Sequence, residues 1–246
     1  MGIPLYLAMT AQDFQSCSCL PHPIAWLSCL FSPFGRGLIS LPDQLPKDSL
    51  LILTDRIPFW NHDSALIAQT LQRTVEEFSC CGILLDFQRP GYHLKEVIRC
   101  VAALPCPVCV SSLYDPGDRA VLVPSPPLDV PLAEYLLPWK GREIWLEASL
   151  GNETITVTEA GSQRKAADDD AAVADRFHDG QLHCHYDIRL GENAQFRLSR
   201  TKEDLSELLA EGEPLGVTRA VGLYQELKKT APELPERSHT SMQEGD

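Results

Sequence analysis

The sequence predicts a (β/α)8 barrel of the TIM type, and three observations carry the prediction. Eight short β-rich runs recur between residues 4 and 224, and most are continuously apolar rather than alternating. Continuous runs mark strands buried on both faces, as in a parallel sheet. Helical segments stand between several of the runs, which is the order of βαβ units. The chain has 246 residues and a hydrophobic fraction of 44%, enough for one large core. A doubly wound open sheet is the alternative for the same elements.

The strand candidates, in order, are PLYLAM (4–9), IAWLSCLF (24–31), SLLILT (49–54), GILLDF (82–87), PVCVSS (107–112), AVLVP (120–124), REIWLEA (142–148) and VTRAVGLY (217–224). Asp63 is placed to cap a helix over SALIAQTLQRTVEEF, with Leu66, Ile67, Leu71, Val75 and Phe78 on one face. HLKEVIRCVAAL (93–104) reads as a second helix and PLAEYLLPW (131–139) as a shorter one. Thr201 and Asp204 have capping-box spacing, and Leu205, Leu208 and Leu209 follow on one face. Residues 112–119 are too short for a helix and 32–48 read as loop, so the barrel lacks some outer helices.

Residues 151–200 interrupt the pattern. NETITVTEAG reads as a strand extension, and SQRKAADDDAAVADRFHDG as a polar, mobile excursion. LHCHYDIRL and AQFRLS flank GEN and predict an antiparallel hairpin before the last helix and strand. The domain expected is a single barrel over residues 1–227, excursion included, followed by a disordered tail over 228–246.

The net charge is −13, which disfavours nucleic acid and anionic membrane surfaces as partners. No apolar run reaches the roughly 20 residues of a membrane helix. The N-terminus MGIPLYLAMTAQDF has no basic n-region, so no signal peptide is read there. The nine cysteines then fit a reducing, cytoplasmic location. Cys106 and Cys109 have CxxC spacing, but no second CxxC completes a zinc set, so both are read as small buried hydrophobes.

In barrels the site lies at the C-terminal ends of the strands. Those ends offer Thr10 and Asp13, then Thr54, Asp55 and Arg56, then Asp86, Gln88 and Arg89. Further on come Ser111, Ser112 and Tyr114, then Trp145 and Glu147, and finally Tyr224, Gln225 and Glu226. Acids, amides and aromatics together suit a polyhydroxylated ligand, by hydrogen bonds and by stacking. Asp55 and Arg56 read equally well as a local ion pair. Trp145 and Glu147 alternate onto one face, where an acid is either paired or at the cleft.

GILLDFQ (82–88) resembles the strand-4 motif of the family 18 glycoside hydrolases, the chitinase-like barrels. There the strand reads roughly D-G-x-D-x-D-x-E, and the last Glu is the general acid. Gly82, Leu84, Asp86 and Gln88 fall in four of those slots, and Cys81 holds the first aspartate slot. The strand order and the hairpin before the last helix and strand are also similar to that family. The resemblance implies a barrel with its site at the strand tips. Two departures alter the implied chemistry: Leu84 replaces the middle Asp and Gln88 replaces the acid. An amide has no proton to give a leaving group at neutral pH.

The expectation is therefore a catalytically degenerate chitinase-like barrel that binds a glycan or another polar small molecule, with no cofactor. Asp55, Arg56, Gln88, Tyr114 and Gln225 are the expected ligand-binding residues. An active glycoside hydrolase with a relocated acid is the alternative, from Asp86 with Glu147 or Glu226. A third reading uses His183 and His185. Strand alternation would turn both one way, with Asp187 beside them, as a metal chelate. A packed or solvent-facing hairpin is the preferred reading of that string, and no metal site is expected. A serine hydrolase is disfavoured because Ser111 and Ser112 lack a G-x-S-x-G context.

Overall fold

The computed structural model describes residues 2–17, 20, 23–56, 62–114, 117–166 and 176–228, with only the backbone of Tyr92. Its first half runs β1 (Leu5–Met9), α1 (Ala11–Ser16), β2 (Ile24–Phe31), β3 (Leu38–Ile39), β4 (Leu50–Thr54), α2 (Ser64–Phe78), β5 (Gly82–Asp86) and α3 (Tyr92–Ala102). It continues through β6 (Val108–Ser111), β7 (Ala120–Val123), α4 (Leu132–Tyr135) and β8 (Ile144–Ala148). After an inserted sheet the chain ends in α5 (Lys202–Gly212), β14 (Val217–Leu223) and α6 (Tyr224–Leu227).

Eight strands form a closed parallel barrel in the order β1, β2, β4, β5, β6, β7, β8, β14. Closure is made by β14, which pairs with β1 from Leu5↔Ala220 to Ala8↔Leu223. β3 is not a stave; it folds antiparallel onto the end of β2. The predicted eight strands are thus the eight staves. Their continuous apolarity has the predicted cause, because each strand is buried on two sides. Tyr6, Ala8, Leu27, Ile52, Leu84, Leu122, Trp145 and Val221 fill the interior. Leu51, Leu53, Ile83, Leu85 and Phe87 point outward against α2 and α3, and Val121, Ile144 and Leu146 against α4 and α5.

Helices are missing where the sequence lacks room for them. Among the described residues, none follows β2 or β6. The Asp63 carboxylate accepts from the Leu66 amide at 3.0 Å, as the cap requires. The buried face of α2 is rotated from the predicted one: Ile67, Ala68, Leu71 and Thr74 are inside, whereas Leu66 is exposed. α5 carries the capping box of Thr201 and Asp204, and buries Leu205, Leu208 and Leu209. No helix among the described residues is long and apolar enough to cross a membrane.

The excursion differs from its expectation. It is a five-stranded antiparallel sheet of β9 (Asn152–Thr158), β10 (Gly161–Ala166), β11 (Phe177–Asp179), β12 (Cys184–Leu190) and β13 (Ala194–Ser199). Its strand order is β10, β9, β13, β12, β11. NETITVT does not extend a barrel strand; it pairs with GSQRKA and with β13. GSQRKA is exposed along its whole length and has no apolar face. Its register instead comes from the ladder to β9 and from Arg164, which bridges Glu153 and Asp129 at 2.9 and 2.6 Å. The predicted hairpin is present as β12 and β13. The rest of the predicted mobile excursion, 167–175, and the predicted tail from 229 onward lie outside the described residues.

Candidate ligand pocket at the barrel mouth

The interior packing stops short of the strand tips and leaves a pocket of about 350 Å³. Its floor and walls are Ala8, Leu27, Ile52, Leu84, Leu122 and Val221, the upper members of the inward-facing rows. Its polar groups are Arg56, Asp86, Glu147, Ser149 and Glu226. Alternation explains the placement. Leu84 and Asp86 succeed each other inward on β5, and Trp145, Glu147 and Ser149 do so along β8 and its exit. Trp145 lies fully buried below, with Arg219 stacked on its ring at 4.5 Å.

The two strand carboxylates are electrostatically unusual. Burial, with the nearby charge of Asp86 added, pushes Glu147 up to about 7, against a small opposing bond from the Ser125 backbone. Burial also raises Asp86, opposed by the Gln88 amide and by Arg56. Both carboxyls are raised first by burial in the same pocket, and a neighbouring carboxylate adds to each, Asp86 for Glu147 and Asp55 for Asp86. Glu226 belongs to the rim differently. One of its oxygens accepts from Ser149 Oγ at 2.8 Å and from the Leu150 amide at 2.6 Å, which ties α6 to the exit of β8.

The remaining predicted residues are near the tips but occupied. Asp55 is 3% exposed, and its carboxylate accepts from the Gln88 and Arg89 amides at 3.0 and 2.9 Å. It shapes the loop after β5. Tyr114 clamps the same loop: its hydroxyl donates to Arg89 O at 2.5 Å and accepts from the Gly91 amide at 3.0 Å. Its ring packs edge-on against Phe87 in the outer core, so it offers no face to the pocket. Gln88 is exposed outside the pocket lining and donates from Nε2 to Asp86 Oδ1. Gln225 donates to Asp13 Oδ1 and accepts from Lys228 at 2.6 Å. Thr10 and Asp13 form a capping box on α1. Arg56 alone of the predicted binding residues lines the pocket.

Ser149 was not anticipated, although it continues the Trp145 and Glu147 alternation by one step. Thr54 Oγ1 is buried at the end of β4 beside Asp86 in the register, with no hydrogen-bond partner among the described residues.

Both histidines of the string turn toward α5, as alternation predicts, but they meet different carboxylates. His183 precedes β12 with a positive φ of 48°, which turns its ring toward α5, where Nε2 is 2.6 Å from Glu211. His185 faces Asp204 instead, and Asp187 meets Arg176. Among the described residues, one grouping has three ligand atoms of metal-binding type close together, namely His178, His185 and Asp204. Cys106 packs in the outer core and Cys109 in the barrel interior, so the CxxC thiols lie on opposite sides of the sheet. Burial raises both thiols above their ordinary range.

No family model and no curated protein matches the sequence. Solved structures do match the fold. The spore cortex-lytic enzyme SleL of Bacillus cereus superposes with a TM-score of 0.53 at 11% identity, over 89% of this chain and 70% of that one. SleL of Bacillus megaterium gives 0.51 at 11% identity, over the same shares of 89% and 70%. A family 18 N-acetylglucosaminidase of Paenibacillus barengoltzii gives 0.52 at 11% identity, over 89% of this chain and 94% of that one. The closed barrel is thus shared in fold with these enzymes. At this identity the likeness is one of fold, not of chemistry.

Proposed function

We propose that the barrel mouth binds a small polyhydroxylated ligand, a sugar or sugar fragment, and that the general-acid step of chitinase-like barrels is lost at Gln88. One observation carries this reading. The strand position that resembles the acid is an amide engaged with Asp86, while the pocket beside it is lined by three carboxylates, one arginine and one serine over apolar walls. Such a lining recognises hydroxyls by their edges. Among the described residues the lining has no aromatic side chain, so what these residues offer a ligand is hydrogen bonds and shape. A volume of about 350 Å³ suits one or two rings, not a polymer. Since one fold neighbour is an N-acetylglucosaminidase, amino sugars head the list to try. Buried thiols at Cys29, Cys109 and Cys184 support a reducing, cytoplasmic setting for this reading.

Calorimetric titration with glucosamine, N-acetylglucosamine and their short oligomers tests it. Binding of at least one of them should weaken about tenfold or more in Asp86→Asn, since a charged acceptor is worth roughly 1.5–3 kcal/mol. Equal heats for wild type and variant, or none at millimolar sugar, would sink the proposal.

A second reading rests on Glu147. A carboxyl that is still protonated near pH 7, facing a second carboxylate, is the arrangement of a general acid and its partner. In this reading Glu147 protonates the leaving oxygen and Asp86 supports the opposite face. Hydrolysis of aryl glycosides should then fall above about pH 7, where Glu147 loses its proton, and vanish in Glu147→Gln. Binding without turnover leaves the first reading standing.

A further inference from the structure

The inserted sheet carries a second constellation, remote in sequence from the pocket residues. His178 on β11 and His185 on β12 are directly paired in the antiparallel register. Directly paired side chains project from the same face of a sheet. Their rings lie with centroids 4.8 Å apart. α5 docks on that face and brings Asp204, in its first turn, between them. Asp204 Oδ1 is 2.9 Å from His178 Nε2, and Oδ2 is 2.9 Å from His185 Nδ1.

We propose that His178, His185 and Asp204 bind a divalent transition-metal ion, zinc by its ligand preferences. The donor set is two imidazoles and one carboxylate, the composition of three-ligand zinc sites with a fourth position open to water. The geometry is close to what such an ion needs. The three ligand atoms lie within 4.8 Å of one another. Tetrahedral bonds of about 2.0–2.1 Å set ligand atoms about 3.3 Å apart. The two nitrogen-to-oxygen separations, each 2.9 Å and each to a different carboxylate oxygen, have to open by a few tenths of an ångström, and the widest of the three separations, 4.8 Å at most, has to close by about 1.5 Å, a movement within reach of the exposed imidazoles.

The surroundings are also those of a supported site. The Asp204 side chain is 2% exposed, and its Oδ2 is fixed by the Thr201 amide and hydroxyl at 2.7 and 2.9 Å. Hydrogen-bonded carboxylates of this kind orient a metal ligand and hold it charged. Among the described residues Oδ1 has one partner, the imidazole that would share the ion with it. The imidazoles are the open side, with side chains 43% and 24% exposed, which gives the ion a way in and a place for a water ligand. On binding, each neutral imidazole carries its proton on the ring nitrogen that faces away from Asp204, and the ion takes the place of the two His–Asp hydrogen bonds. The ion then staples β11 and β12 to the start of α5.

His183 supplies the internal control, since it faces Glu207 and Glu211 rather than Asp204. The test uses the full chain, stripped with a chelator and titrated with zinc chloride, with metal content and thermal midpoint as readouts. One equivalent should be retained with a rise in the midpoint. His178→Ala and His185→Ala should each weaken uptake more than about tenfold, and His183→Ala should keep it. Asp204→Asn is avoided because it also breaks the helix cap. A readout without substitutions runs beside these: the imidazole nitrogen resonances of His178 and His185 should shift on zinc addition while those of His183 stay. Failure to retain zinc, retention undiminished in both His variants, or shifts confined to other histidines would each overturn the proposal.

Discussion

Asp86 and Glu147 face one pocket from β5 and β8, three staves apart around the barrel, and the charge of Asp86 adds to burial in raising Glu147 to about 7. Replacing Asp86 by Asn removes that charge and leaves the burial. Glu147 should then titrate lower than in the wild type yet still above the ordinary 4.5 of a glutamate. Carboxyl carbon resonances followed across pH read this directly. An unmoved midpoint would mean the two groups do not sense each other.

The same carboxyl makes stability depend on pH. A raised folded-state value means the native protein holds this proton where the unfolded chain has released it. The contribution is complete below about 4.5 and is lost as pH rises to about 7. Glu147→Gln lacks the titration. Its stability relative to wild type should therefore increase between those values and level off above them, by up to about 3 kcal/mol. Urea unfolding of both proteins at several pH values is the measurement, and parallel pH curves would contradict it.

Asp55 holds two backbone amides of the loop after β5. Asp55→Ala leaves both without their buried acceptor and should cost about 2–4 kcal/mol. A smaller loss is expected for Asp55→Asn, which keeps one oxygen. Denaturant midpoints at constant slope would report both.

Tyr114→Phe deletes the hydroxyl that clamps Arg89 O and the Gly91 amide in that loop. A loss of about 1–2 kcal/mol is expected. Ligand affinity at the mouth should hold, because the ring faces Phe87 and not the pocket. A sugar affinity that falls with this variant would place the ring in recognition after all.

Gly222 sits on β14 where α6 turns back over the barrel. A Cβ there would lie 2.7 Å from the Ala148 carbonyl oxygen and press on Leu227. The carbonyl belongs to a paired stave and cannot retreat. Gly222→Ala should destabilise by roughly 2–3 kcal/mol, read as a lowered thermal midpoint.

The barrel was legible because burial on both faces writes itself into sequence. IAWLSCLF and LLILT admit little other than interior strands, and Asp63 and Thr201 cap the helices they precede, Thr201 with Asp204 of the first turn. Polar strands carry no such mark. GSQRKA is held by ladder hydrogen bonds and ion pairs, neither of which has a period to read. The site was legible in part. Alternation places Asp86 and Glu147 inward, whereas the partners that occupy Asp55, Tyr114 and Gln225 come from other strands and loops. The string HCH likewise puts His183 and His185 on one side, whereas the separate carboxylates they meet, Glu211 and Asp204, come from α5.

Closure by β14 has a consequence for how the chain reaches this fold. Without residues 217–223 the first seven staves are an open sheet whose edge strands, β1 and β8, are each unpaired on the outer side. Joining them brings Leu5 to Ala220, a contact spanning nearly the whole chain, and such contacts are slow to form. The inserted sheet has no such wait, since its strands pair within a span of about 50 residues. It does not depend on the closing strand for its pairing, since all of its strands precede β14 in the chain. It stands at the exit of β8, beside one of the two edges most exposed to pairing with another chain.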